Sequence, residues 1–257
     1  MLGITAATAP AIRTQFRVLL RLLSSHLAQH RFLLGDHISL ADFALYGPFY
    51  AHLFRDPVPG FIIKTEFPLV AEWVERVGGR ARGGAPSTVV RDKHGAWAAD
   101  YPAADALAPA DEVPASIRPF LALLLADYLP VLADSAARLQ AYVAAGTARA
   151  APENKAWREV PRSLGEHAFG FSPGTGAPPA RASRKANTHG LWMLQEALAG
   201  VYAGNEAGID ALIAELVGAE AAARDWRGVV GVLGGPWVLA RERNRLVVKP
   251  RAAGAKL

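Results

Sequence analysis

A short motif at residues 38–43 determines where one helix of this chain begins. Ser39 is followed three residues later by Asp42, so each can satisfy a backbone N–H of the other, the arrangement of a capping box. Ile38 and Phe43 flank the box at the two positions of a hydrophobic staple. The Asp42 carboxylate also interacts favourably with the positive end of the helix dipole. The motif therefore predicts a helix that starts at residue 40.

Two more helices are predicted, one before this helix and one after it. Apolar residues recur every three or four positions over 10–30, which indicates a first amphipathic helix. Pro48 removes a backbone donor from the second helix and predicts a kink. Pro68 begins a third helix, and the glycine pair that starts at Gly78 ends it. The pattern is typical of a helical bundle.

The whole sequence predicts a mainly α fold in four segments. Residues 4–80 carry the helical bundle. Residues 81–114 are rich in Gly, Pro, Ala and Asp, and they are expected to form a linker or long loop. Residues 115–250 are expected to be a second, mostly helical region, followed by a basic tail over 251–257.

Within that second region, helical periodicity covers 116–145, where Pro130 predicts a kink or a break. Periodicity resumes after Thr188, a candidate N-cap, and continues in a further helix to residue 217. Two stretches of polar residues and proline are interpreted as connections: 146–162 and 172–187. Two short runs with β propensity are candidates for a small β hairpin: 237–239 and 246–248.

The capping box belongs to a longer pattern. Residues 32–43 read Phe-Leu-Leu-Gly-Asp-His-Ile-Ser-Leu-Ala-Asp-Phe. This run resembles the Leu-x-Gly-Asp-x-x-Ser-x-Ala-Asp pattern in the C-terminal helical domain of glutathione transferases. The stretch 44–50 is also similar to that domain, as are Phe67, Pro68 and Trp73. The resemblance covers about residues 4–80. Residues 115–250 are similar to a C-terminal extension of some bacterial members of the family.

The resemblance implies the half of a transferase that lines the pocket for a small apolar electrophile. In the family, a preceding thioredoxin-like domain holds glutathione and the catalytic Tyr, Ser or Cys, and nothing before residue 10 is long enough to encode it. No catalytic residue is therefore assigned, and glutathione is expected only if such a domain is supplied. Five positions match the electrophile wall: Phe43, Tyr46, Tyr50, Arg13 and Arg17. Ser39 and Asp42 are expected to be structural.

Histidines offer two weaker patterns. His26 and His30 have the i, i+4 spacing of metal ligands, but no third ligand is indicated, so we expect a histidine pair in solvent at a helix end. His167 stands beside Glu166 as a candidate acid/base pair, although adjacent residues rarely face each other. A structural role is the expectation for His167, and no metal site is predicted.

Charge and cysteine content limit the partners. The net charge of +5 equals the excess of the last 17 residues, which hold six basic residues and one acid. Nucleic-acid binding through these residues is an alternative but not the expectation, because no aromatic residues are interleaved with the basic ones. The sequence has no cysteine. It also has no signal-peptide pattern and no apolar run of about 18 residues, so we expect a cytoplasmic protein without membrane contact.

Three functions remain as hypotheses, and whether the chain is an enzyme stays open. The first is a glutathione transferase-like protein without its glutathione-binding half, inactive alone, that contributes the wall of an electrophile pocket. The second is a binding or assembly module whose partner is a thioredoxin-like domain, another chain or a second copy. It predicts an exposed apolar face on helices 12–30 and 68–77. The third is nucleic-acid binding through the basic tail.

Overall fold

A computed structural model describes residues 4–79, 88–91, 97–100, 113–146, 148–151, 154–171, 180–202, 204–218 and 220–253. It separates into two compact units, Gln15–Leu121 (the first unit) and Met1–Thr14 with Ala122–Leu257 (the second unit). The described residues are mainly helical, as the sequence predicts. The domain boundaries expected at 80 and 115 stay predictions.

The first helices of the chain follow the capping and proline signals closely. They are α1 (Ala9–Leu27), α2 (Leu40–Pro48), a π-helical segment (Phe49–Phe54), α3 (Pro57–Glu66) and α4 (Pro68–Val77). The predicted starts at residues 40 and 68 are confirmed. At Pro48 the α-helical hydrogen-bond ladder ends and a wider π-helical turn continues it, because proline supplies no N–H.

Helix α3 is absent from the sequence prediction, because Pro57-Val58-Pro59-Gly60 reads as a run of helix breakers. Both prolines lie in the first turn, where a missing N–H costs no hydrogen bond. Gly60 is needed for close approach: a Cβ there would lie 2.4 Å from the Phe54 carbonyl oxygen. Proline and glycine therefore permit a tight corner between the π-helical segment and α3.

The first unit has a core of large apolar side chains. Leu20 and Leu23 of α1, Ile63 of α3 and Trp73 of α4 are fully buried. Strands β1 (Thr88–Arg91) and β2 (Trp97–Asp100) pair antiparallel within the segment expected to be a linker or long loop. That segment therefore contains a short β pair, and most of its other residues lie outside the described part.

The second unit combines helices with antiparallel strands. Its elements are α5 (Arg118–Ala144, which begins in the first unit), β3 (Ala150–Ala151), β4 (Asn154–Val160), β5 (Ser163–Phe171), β6 (Ala180–Asn187), α6 (Thr188–Val201), α7 (Glu206–Val217), α8 (Glu220–Leu233), β7 (Trp237–Glu242) and β8 (Arg245–Pro250). Helices α5, α6 and α7 agree with the predicted periodicity. Helix α8 is missing from the prediction because Gly228 and Gly231 weaken its helical signal.

The strands are more extensive than the small hairpin expected. Four of them form one antiparallel sheet in the order β3-β4-β8-β7, and β5 pairs with β6 in a separate ribbon. Strand β4 and strand β6 lie in stretches interpreted as connections, so those interpretations are wrong. The reason is physical: β4 is mostly polar and buries only Val160, and its partner β8 is far away in sequence.

One hydrophobic core holds the helices and the sheet of the second unit together. It joins Leu129, Leu132 and Leu139 of α5, Leu191 and Leu198 of α6, Val229 and Leu233 of α8, and strand residues Val160, Leu239 and Val248. The Asp210 carboxylate of α7 adds a polar link, since it accepts from Tyr202 Oη at 2.9 Å and from Trp226 Nε1 at 2.7 Å. Burial, together with this hydrogen bond, raises the pKa of Tyr202 to about 12.

Helix α5 is continuous through Pro130, so the predicted break does not occur. It contains an 18-residue window of mean hydropathy 1.6, of which 33% is buried. By length and composition it is the one helix among the described residues that could cross a membrane, although the sequence suggested none. Leu129, Leu132 and Leu139 lie in the core of the second unit, and a core helix of a soluble fold passes the same criteria.

The basic residues at the end of the chain belong mostly to a hairpin. Residues 241–250 lie in β7, β8 and the turn between them, so they are not a solvated tail. Lys249 contacts the carboxylate of Glu242, and its Nζ lies 3.9 Å from the centre of the Trp157 ring. Arg251 Nε donates to the Gly235 carbonyl at 2.8 Å. Some of the basic side chains at the end of the chain are therefore engaged in contacts within the fold. Residues 254–257 lie outside the described part.

Candidate functional site

Asp42 is a fully buried carboxylate at the start of α2. Its Oδ1 accepts from the Leu33 N–H at 3.0 Å and from Trp73 Nε1 at 2.9 Å. Its Oδ2 accepts from the Ser39 N–H at 2.9 Å and from the Ser39 hydroxyl at 2.8 Å. Ser39 and Asp42 form a capping box. Because one carboxylate joins α2, α4 and the preceding loop, its role here is to hold the helices together.

His26 is buried, which corrects the expectation of a histidine pair in solvent. Its Nε2 lies 2.9 Å from the Phe32 carbonyl oxygen and its Nδ1 lies 2.8 Å from Ser116 Oγ. A carbonyl only accepts, so Nε2 carries the proton and Nδ1 accepts from the serine in the neutral ring. The His30 ring lies 5.0 Å away. Within the described residues no group of three or more His, Cys, Asp or Glu side chains could hold a metal ion.

The buried imidazole makes stability depend on pH. Burial, the largest effect, lowers the pKa of His26 below its ordinary value of 6.5; the nearby His30 also lowers it, while the Phe32 carbonyl and Asp42 act in the opposite direction. As the pH falls below about 6.5 the unfolded chain binds a proton that the folded chain resists. We expect the free energy of unfolding to fall with pH from about 6.5 and to level off below the lowered pKa.

Urea denaturation at intervals between pH 5.5 and 7.5 measures this slope. We expect His26→Gln to flatten it and His30→Gln, which changes the neighbouring and less buried ring, to leave most of it in place. An equal slope in the wild type and in His26→Gln would assign the pH dependence to other groups.

Tyr46 and Tyr50 lie together where α2 passes into the π-helical segment, as their i, i+4 spacing allows. Their rings are stacked with centroids 5.2 Å apart and an interplanar angle of 12°. The stack continues to Phe54 at 6.4 Å, and the Arg55 guanidinium carbon lies 5.8 Å from the centre of the Tyr50 ring. Both tyrosines are half-buried, whereas Phe54 is buried. The junction of α2 with the π-helical segment therefore presents part of an aromatic surface to solvent.

The other three candidates are placed differently. Phe43 is 52% exposed, and no ring contact joins it to the tyrosine stack in the described part of the chain. Arg17 of α1 forms a bidentate ion pair with Glu66 of α3, with both N–O distances 2.8 Å. This hydrogen bond raises the pKa of Arg17 and lowers the pKa of Glu66. Arg13 is exposed. Only Tyr46 and Tyr50 are brought together.

The exposed apolar face expected on residues 12–30 and 68–77 is not there. Helix α4 buries Val70, Trp73, Val74 and Val77, and α1 buries Leu20 and Leu23. The large exposed apolar side chains up to residue 76 lie before α1, before α2, on α2 and on α3: Ile4, Leu34, Ile38, Leu40, Phe43, Val58 and Phe61. On α4 the expectation was wrong because its apolar stripe is used by the core. On α1 the core takes Leu20, Leu23 and Leu27, and the rest of the stripe is half-buried.

The suggested pair of Glu166 and His167 does not form. Successive residues of β5 point to opposite faces of the ribbon. His167 Nδ1 lies 3.1 Å from Asp134 Oδ2, whereas Glu166 accepts from the Ser183 hydroxyl at 2.8 Å. Arg138 donates to the same Asp134 oxygen at 2.8 Å. These bonds join α5 to β5, a structural arrangement.

Two further residues were missed by the sequence reasoning. Arg76 Nη1 donates to the Arg31 carbonyl at 2.7 Å, and its guanidinium carbon lies 5.8 Å from the centre of the Phe32 ring. Burial lowers the pKa of Arg76. Gly78 lies so close to Tyr46 that a Cβ would be 2.7 Å from the tyrosine hydroxyl. The end of α4 therefore fixes one edge of the exposed aromatic surface.

Comparison with known proteins gives one result for the helical part. The family described as glutathione S-transferase, C-terminal domain, matches residues 6–76. No curated protein and no solved structure matches the chain. Residues 6–76 thus form a helical domain like the C-terminal domain of glutathione S-transferases, in agreement with the resemblance seen in the sequence.

Proposed function

We propose that the domain over residues 6–76 supplies the electrophile side of a glutathione transferase-type active site. The stacked rings of Tyr46 and Tyr50 form the aromatic wall, with Phe43 as a further apolar contact. The observation that carries the proposal is this partly exposed stack at the junction of α2 with the π-helical segment, within a domain of the matching family. Flat apolar molecules gain affinity by stacking on such rings.

A thioredoxin-like domain, on this protein or on a partner, would supply glutathione and activate its thiol. The glutathione thiolate would attack the electrophilic carbon, and the leaving group would depart with the bonding electron pair. The described residues up to 79 would bind and orient the electrophile and take no proton. The proposal therefore predicts no transferase activity for this chain alone, and we place it in the cytoplasm, where glutathione and a cysteine-free protein are compatible.

The test measures binding of 1-chloro-2,4-dinitrobenzene to the full chain by saturation-transfer NMR. We expect Tyr46→Leu and Tyr50→Leu each to weaken binding by roughly twofold to tenfold, the loss of one stacking contact. Tyr128→Leu is the matched control, because Tyr128 is a 41% exposed tyrosine in the second unit. Unchanged affinity in both stack variants, or an equal loss in Tyr128→Leu, would reject the aromatic wall.

Immobilised glutathione tests the other half of the proposal. We expect the chain alone not to be retained, because a separate thioredoxin-like domain would supply the contacts to glutathione. Retention that free glutathione reverses would show that this chain binds glutathione itself, and a separate domain would then be unnecessary.

A second candidate function is a docking module for another protein or a second copy. The observation in its favour is the exposed apolar residues on α2 and α3, among them Leu40 at 82% and Phe61 at 68%. Light scattering on the same sample separates the candidates. A monomer over a wide concentration range would count against self-association, whereas a dimer that Phe61→Glu dissociates would support it.

A further inference from the structure

A cavity of about 500 Å³ lies in the second unit where three pieces of chain meet. One is the end of β4 and the corner after it, residues 159–162. The second is the start of α6, residues 187–189. The third is the β7–β8 hairpin, through Arg241 and residues 244–246. This volume is in the range of small-molecule binding sites.

The lining is strongly basic. Arg162 comes from the corner after β4, whereas Arg241 and Arg245 both come from the β7–β8 hairpin. Glu159 is the one carboxylate among the lining residues. Three guanidinium groups and one carboxylate give a net charge of +2. Val160, Pro161 and Leu246 provide apolar wall between the charged groups. A cavity of this composition favours an anion with an organic body.

Most of the guanidinium N–H groups of these three arginines donate no hydrogen bond to the described residues. Arg162 has no side-chain hydrogen bond or ion pair with any described residue. Arg245 Nε is 4.0 Å from Glu159 Oε1, beyond hydrogen-bond distance. Arg241 donates once, to Asn244 Oδ1 at 3.0 Å. By contrast, Arg251 in the same unit donates to backbone carbonyls and has a structural role.

The backbone around the cavity is held in place. Thr188 is buried, its hydroxyl donates to the Pro161 carbonyl at 2.7 Å, and its N–H donates to the Arg162 carbonyl at 3.3 Å. These bonds fix the corner that carries Arg162 against α6. The turn of the hairpin has two non-glycine residues with positive φ, Arg243 at 43° and Asn244 at 66°. Such a turn costs conformational energy and sets the direction of Asn244.

We propose that this cavity binds a small organic phosphate. Guanidinium groups bind phosphate oxygens through paired, charge-assisted hydrogen bonds, and three arginines line this cavity, of which Arg162 has no side-chain partner among the described residues. The amides of Asn187 and Asn244 can hydrogen-bond a polar body such as a sugar or glycerol. His189 is the one aromatic side chain that lines the cavity among the described residues, and its ring lies 5.2 Å from the Trp192 ring. This proposal is independent of the electrophile site.

Isothermal titration of the full chain with pyrophosphate and with glucose 6-phosphate tests the proposal. We expect saturable binding of one or both at one site per chain, weakened by added salt. Arg162→Gln and Arg245→Gln should each weaken binding by about tenfold. Arg243→Gln is the matched control: it removes the same charge from the same hairpin but lies outside the cavity lining, and it should leave the affinity within about twofold.

Two further arms identify the source of the phosphate. The first arm is cosedimentation with vesicles that contain phosphatidate, with pure phosphatidylcholine vesicles as the comparison. If the chain binds only the phosphatidate vesicles, and this binding requires both Arg162 and Arg245, the phosphate belongs to a lipid headgroup. The second arm is a single-stranded oligonucleotide. If it binds, and Arg243→Gln weakens its binding as much as Arg162→Gln and Arg245→Gln do, the chain has a general basic surface and the proposal is overturned. Absence of binding to every probe, or equal losses in the cavity variants and in Arg243→Gln, would also overturn it.

Discussion

Replacing Asp42 with alanine is expected to lower the free energy of unfolding of the helical domain by about 3–5 kcal/mol. The substitution removes the acceptor of four hydrogen bonds in a fully buried position. The indole N–H of Trp73 and the backbone N–H of Leu33 then have no partner, and each buried, unsatisfied donor costs about 1–3 kcal/mol. Helix α2 also loses its capping box.

Asp42→Asn refines this test because it keeps the volume and one oxygen. The amide oxygen can still accept from Leu33 and Trp73, but its NH₂ faces the two donor groups of Ser39. We expect about half the loss of the alanine variant. Asp36→Ala is the control, since Asp36 is exposed and, among the described residues, accepts one long 3.4 Å bond, from the Arg31 N–H.

Urea denaturation followed by circular dichroism measures the loss in these variants, and NMR hydrogen exchange of the Trp73 indole N–H locates it. If exchange at Trp73 is no faster in Asp42→Ala than in Asp36→Ala, the carboxylate does not hold α4, and its four bonds contribute little.

The parts of the fold that could be predicted are those with local causes. The capping box at Ser39 and Asp42 and the proline at the start of α4 act within one helical turn, so the sequence places both helix starts correctly. The family resemblance rests on the same residues and agrees with the match over 6–76. Local signals of this kind do not depend on distant partners.

The parts that failed depend on partners far away in the sequence. Strand β4 pairs with β8, and its mostly polar side chains show no apolar alternation by themselves. His26 lies at a helix end with a polar sequence around it, yet Phe32 and Ser116 enclose it. Their bonds become visible only when the chain is folded, because neither partner has a spacing that sequence patterns recognise.

The candidate sites divide in the same way. The stack of Tyr46 and Tyr50 follows from i, i+4 spacing on one helix and was accessible from the sequence. The pair of Arg17 and Glu66 and the basic cavity were not, because residues from separate elements create them. In the sequence, residues 241–245 looked like part of a charged tail. In the structure they belong to a hairpin, and Arg241 and Arg245 line the cavity.

Gln195 of α6 should be the second position where a single polar substitution has a large effect. Its side chain is buried and forms two bonds with Leu239 of β7: Nε2 donates to the carbonyl at 2.9 Å, and Oε1 accepts from the N–H at 3.0 Å. Strand β7 is at the edge of the sheet, so the amide replaces a missing neighbouring strand. We expect Gln195→Leu to lower the free energy of unfolding of the second unit by about 3 kcal/mol.

Gln195→Glu distinguishes loss of these bonds from loss of packing, because the side chain keeps its size. At neutral pH a buried carboxylate can accept from the Leu239 N–H but faces the carbonyl without a proton. Burial and this contact raise its pKa, so protonation at lower pH restores the donor. Relative to the wild type, the variant should therefore recover stability as the pH falls from 7.5 to 5.5 in urea denaturation, whereas Gln195→Leu should not. Gln140→Leu, at an exposed glutamine of α5, should stay within about 0.5 kcal/mol. Equal pH dependence in Gln195→Glu and Gln195→Leu would mean that packing, rather than the two hydrogen bonds, accounts for the loss.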